Sequence, residues 1–160
     1  MSQIQKLIQS FQTTTWIINK QAAGLTHDQM LLPLPFRGNC FNWVLGHIAT
    51  NRDQVLNLLS QEPVFTQAQV DRYKTGSEPV TTGETAVHSD KLLAAIQESQ
   101  ARIEAGLKNV SAEKLAEIFN EEHNQTVADR IAGLHWHETY HTGQLELLRQ
   151  LAGTDDRILG

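Results

Sequence analysis

The chain has 160 residues, 40% of them hydrophobic and 19% charged, with 10 glycines and 4 prolines, which excludes disordered and collagen-like polymers and suits one globular domain over 1–160. Its net charge is −5 and its 13 lysines and arginines are scattered without a run, so the basic face of a nucleic-acid binder is missing. No apolar stretch approaches the ~20 residues of a membrane helix, and MSQIQKLIQSFQTTTW has neither a basic leader nor an unbroken apolar core, so the expected compartment is the cytoplasm.

Ile4, Leu7, Ile8, Phe11, Trp16 and Ile18 fall at mostly helical spacing and predict a first helix from Ser2 to about Ala23, stopped by Gly24. Residues 25–39 carry two prolines and a glycine, so they read as a connection with one helical turn at Thr26 to Leu31. The lone Cys40 cannot form an internal disulfide, which fits a reducing compartment. Asn39 or Asn42 is the expected cap of a second helix to about Ser60, with Val44, Leu45, Ile48, Val55, Leu58 and Leu59 on one stripe and His47 inside it. Gln61 to Gly83 reads as a long loop. A third helix is expected from about Glu84 to Asn109, then a short piece at SAEKLAEIF. The fourth helix starts at Asn124 or Thr126, follows Val127, Ile131, Leu134, Leu145, Leu148 and Leu151, and stops at Gly153. The expected fold is all-α: a four-helix bundle with long connections, one of them free to cross the bundle, and without strands.

Among the 7 histidines, His137 and His141 stand four apart on the fourth helix, one turn apart on one face. Leu134, Leu145 and Leu148 share that face, so the pair is expected to point inward. His47 sits likewise on the second helix. A single buried imidazole is satisfied by ordinary hydrogen bonds; three on apolar stripes each need a polar partner, and one shared cation satisfies them all. His47, His137 and His141 therefore form the candidate metal site, a three-nitrogen set with an open position, which is the arrangement of a catalytic ion. A structural site closed by Cys40 is disfavoured. His27, His88 and His123 are expected to be solvated, and His135 lies about 160° around the helix from His137. Trp43, Trp136 and Tyr140 read as packing residues.

His137, Glu138 and His141 also spell H-E-x-x-H, the metalloprotease signature in which the glutamate acts on metal-bound water. Position 144 is Gln144 rather than the glycine of the extended motif, and no later helix follows to present a third ligand. A protease is disfavoured. Because the helix turns Glu138 about 100° from His137, its expected role is to orient a neighbouring group rather than to act as a base.

FNWVLGHIATNRDQVL, with His47, and HETYHTGQLELLRQLAG, with His137, His141, Gly143, Gln144, Arg149 and Gly153, together resemble the DinB/YfiT-like superfamily of four-helix proteins that hold a metal by three histidines. The chain departs from it at Thr142, where members often carry arginine. The resemblance implies a divalent metal, zinc or nickel, at the three histidines, and a homodimer. It further implies a metal-dependent enzyme, of the thiol-dependent S-transferase type, acting on a small-molecule substrate such as a low-molecular-weight thiol. The alternatives are a metal-dependent hydrolase using metal-bound water and a non-enzymatic, stress-related bundle whose metal stabilises fold or dimer. Three imidazoles suit several transition metals alike, and catalytic residues beyond the ligands are not identified.

Overall fold

The computed structural model describes residues 2–154 and 156. Four long helices dominate: α1 (Gln3–Ala22), α3 (Phe41–Leu58), α5 (Ser89–Asn109) and α7 (Val127–Leu151), with short helices α2 (His27–Met30), α4 (Gln67–Tyr73) and α6 (Ala112–Ala116) in the connections. Side-chain boxes start several of them. Ser2 with Gln5, Thr26 with Gln29, Thr66 with Gln69 and Thr126 with Asp129 each satisfy the first free amides reciprocally. Gly24 and Gly153 follow the ends of α1 and α7 with positive φ, +77° and +88°, as a left-handed stop requires.

The long helices form a ring in which α3 packs on α5 and α7, and α1 on the same two. Thus α1 and α3 occupy opposite corners, as do α5 and α7. The connection through 24–41 and the one before α7 therefore run to opposite corners, whereas 61–83 joins neighbours.

The core is cut in two by a polar layer. Ile18, Leu45, Ile48, Ile96 and Leu145 belong to one apolar cluster and Phe11, Val55, Leu56, Ile103 and Leu134 to another. Between them each long helix contributes buried polar side chains: Thr14 and Thr15, Arg52, Ser99 and Gln100, and Glu138. Arg52 and Glu138, 0% and 2% exposed, form an ion pair. The Arg52 Nε donates to Glu138 Oε2 at 2.8 Å and one Nη to Oε1, while the remaining N–H groups reach the Ile96 carbonyl at 2.9 Å and Thr15 Oγ1 at 2.8 Å. Thr14 also donates to Glu138 Oε1.

Several expectations need correction. The loop 61–83 contains α4. The third long helix begins at Ser89, with His88 as its cap, and Gly83–Thr85 forms only a 3-10 turn. Cys40, rather than an asparagine, stands at the cap of α3, and its thiol makes no cap bond. Strands do occur: β1 (Ile118–Asn120) pairs antiparallel with β2 (Gln125–Thr126) ahead of α7. Trp16, Trp136, Tyr140 and Leu151 lie on the surface, at 50%, 69%, 57% and 38% exposure. No helix among the described residues is long and apolar enough to cross a membrane.

Candidate metal centre

His47 stands in the second turn of α3 and is 3% exposed. Its Nδ1 lies 2.7 Å from the carbonyl of Tyr73, the last residue of α4. Carbonyls in a final helical turn have no partner within the helix, and a carbonyl only accepts, so His47 Nδ1 carries the proton and its Nε2 presents a lone pair. Tyr73 is itself fixed: its hydroxyl donates to Asn42 Oδ1 at 2.9 Å and accepts from the Val87 amide at 2.8 Å. Its ring lies so close to Gly46 that a Cβ there would be 2.4 Å from Tyr73 Cδ1. On the other side Trp43 stacks on the His47 ring, with centroids 4.8 Å apart and planes 14° from parallel.

From α7, His141 Nδ1 meets Gln144 Oε1 at 2.7 Å, which turns its Nε2 toward His137 Nε2, 3.1 Å away. Ligand nitrogens from His47, His137 and His141 all lie within 4.8 Å of one another. Two nitrogens on one ion with ~2.0–2.1 Å bonds at tetrahedral or octahedral angles stand roughly 2.8–3.4 Å apart, so the 3.1 Å separation has the bite of a shared cation. Burial holds all three imidazoles below their ordinary pKa, His141 to about 4, with the Arg130 charge adding to the effect at His137. They are therefore neutral near pH 7, the form that binds metal.

The three histidines line a cavity of about 400 Å³, within the range of small-molecule sites. Its lining includes Leu34, Trp43, Val44 and Leu148 and the exposed Arg37. No aspartate or glutamate lines it among the described residues.

The remaining sequence candidates fall elsewhere. It is Glu138 rather than His137 that faces the centre of the bundle, and both its oxygens are taken by Arg52. Cys40 is buried against the Val80 carbonyl, and burial pushes its thiol pKa up. His123 is exposed. His27 is not freely solvated: it is half-buried, stacks on His88 with centroids 4.4 Å apart and meets Ser89 Oγ at 2.8 Å. The Arg52–Glu138 pair and the Tyr73 carbonyl are absent from the sequence reading. The pair left a signal, since Arg52 and Glu138 each occupy a stripe position between apolar residues of α3 and α7.

A helical bundle with a histidine-lined cavity between α3 and α7 defines the class. Residues 12–145 match the DinB superfamily, and the chain belongs to it. The crystal structure of a conserved protein from Enterococcus faecalis is similar in fold, with a TM-score of 0.74 at 19% identity, covering 96% of this chain and 99% of that one. No match is found among curated proteins.

Proposed function

We propose that the chain is a metal-dependent enzyme of the thiol S-transferase type, with His47, His137 and His141 holding a divalent ion, zinc or nickel. The observation that carries this reading is the 3.1 Å approach of the His137 and His141 Nε2 atoms beside His47. When bound, such an ion supplies Lewis acidity that lowers the pKa of a small thiol. The chain's own part is positional. Tyr73 and Gln144 hold two of the rings by their Nδ1 atoms, as outer partners of metal-binding histidines do. The apolar walls exclude water from one side of a small molecule. Hydrolysis is less well served: Glu138 is bound to Arg52 and no carboxylate lines the cavity among the described residues, so no described carboxylate is placed to act as a general base.

Two further readings go with it. The chain acts in the cytoplasm, for which the single buried Cys40 is the support. It pairs as a homodimer through the exposed stripe of Trp136, Tyr140 and Leu147 on α7, an apolar face, reaching the cavity at Leu147, of a kind that marks interaction surfaces.

Metal content of protein purified without a metal-affinity tag, followed by assays with thiols and electrophiles, tests the proposal. Excess zinc or nickel at 1,000 times Kd is expected to stabilise the fold by about 4 kcal/mol, and His137→Ala to abolish that response. Melting curves that ignore metal, chelator and the three alanine variants alike would leave the histidines as ordinary core residues.

A further inference from the structure

The cavity has an uneven charge. Apart from the histidines, Arg37 is the charged side chain that lines it, and no described aspartate or glutamate balances it. Three neutral imidazoles would leave the double charge of a divalent ion uncompensated, so such an ion would add to the positive charge of Arg37 in a chain whose net charge is −5. Arg37 also differs from the other described arginines. Arg52, Arg72, Arg102, Arg130 and Arg149 each donate to a protein acceptor, whereas Arg37 has no such bond to any described residue. Arg37 lines the cavity together with Leu34, Val44 and Leu148, and its guanidinium is not engaged by any described residue.

We propose that Arg37 is a specificity-determining residue, and that the cavity takes a small molecule with an apolar body and a carboxylate, the carboxylate being held by Arg37. This names a substrate class for the site described above and rests on that cavity being the substrate site. A planar guanidinium meets a carboxylate with two parallel hydrogen bonds, a geometry that discriminates a carboxylate from a hydroxyl even at an exposed position, while the apolar walls take the body of the molecule. A carboxylate held by Arg37 leaves the rest of the molecule to extend toward His47, His137 and His141, which line the same cavity. Because Arg37 is exposed and makes no hydrogen bond to a described residue, it contributes little to the fold, and its removal should leave the melting curve unchanged.

The test uses 3-phenylpropionate and its neutral counterpart 3-phenylpropanol, titrated calorimetrically or by NMR into the full chain, metal-loaded and chelator-treated. In chelator-treated protein no ion can hold the carboxylate, so a preference for the acid belongs to the protein. The expected result is at least a fivefold preference for the acid in wild type, a preference of less than twofold in Arg37→Ala, and an intermediate one in Arg37→Lys. No preference in wild type, or one that survives Arg37→Ala, overturns the proposal. Failure of the metal assignment would appear separately, as protein that takes up no zinc or nickel, and would leave the chelator-treated comparison intact.

Discussion

Replacing Glu138 by glutamine keeps the shape of the side chain and removes one charge from the bundle's polar layer. The partner left behind, Arg52, is 0% exposed, and both its bonds to Glu138 lose an anionic acceptor. One amide oxygen can still accept, but the amide nitrogen is a donor facing the donors of Arg52 or Thr14. Breaking a buried pair from one side costs about 3–5 kcal/mol. For a chain of this length each kcal/mol lowers the melting temperature by about 2–4 °C, so Glu138→Gln should melt roughly 6–20 °C below wild type. Urea titration with a common slope gives the free-energy difference directly. The double variant Arg52→Met, Glu138→Met, which removes both charges, should recover most of the loss. Metal affinity should change less than about threefold, since both Glu138 oxygens are engaged by Arg52 and Thr14 rather than by the histidines. A Glu138→Gln protein within about 1 kcal/mol of wild type, but with metal binding or turnover abolished, would refute this reasoning and return Glu138 to the H-E-x-x-H role.

Gly46→Ala places a methyl group 2.4 Å from the Tyr73 ring, and because the Tyr73 hydroxyl is tied to Asn42 and Val87, the displacement should pass to the carbonyl that holds His47. Metal affinity should fall about 10–100-fold, measured by competition with a chromophoric chelator, and Tyr73→Phe should cause a smaller loss. In chelator-treated protein the His141 pKa of about 4 lies below its unfolded value near 6.5. The unfolded chain therefore binds more protons between those values, and stability falls as the pH drops from about 6.5 to about 4. The loss from this one group is on the order of 2–3 kcal/mol; denaturant titrations across that range should show it, with a shallower slope in His141→Gln.

The long helices were legible because each carries an apolar stripe with a stop, as at Gly24 and Gly153. What escaped is short or made of backbone. Residues 118–120 and 125–126 are too few for alternation to show, and the hairpin depends on a turn in which Asn124 takes a positive φ of 46°. The helix α4 was announced by Thr66 and Gln69, the same box that opens α1, but the prolines and glycines around it obscured the signal. The start of α5 slips from Glu84 to Ser89 because Arg72 binds the carbonyls of Glu78, Pro79 and Thr85 and holds that stretch as loop. At the site, the i, i+4 spacing marks His137 and His141 in any sequence. The Tyr73 carbonyl has no residue signature, and which wall Arg37 stands in depends on how residues 32–39 fold back.

The polar layer also acts as a ruler along the bundle axis. Leucine and isoleucine faces interdigitate tolerably in more than one register, and sliding a helix by one turn, about 5.4 Å, can exchange one apolar match for another. A buried guanidinium that must meet a carboxylate, a threonine hydroxyl and a carbonyl on three other helices accepts a single offset. That offset is also what sets His47 on α3 level with His137 and His141 on α7. A bundle rebuilt with methionines at 52 and 138 could thus be the more stable protein yet sample shifted registers, its histidines meeting in only a fraction of molecules.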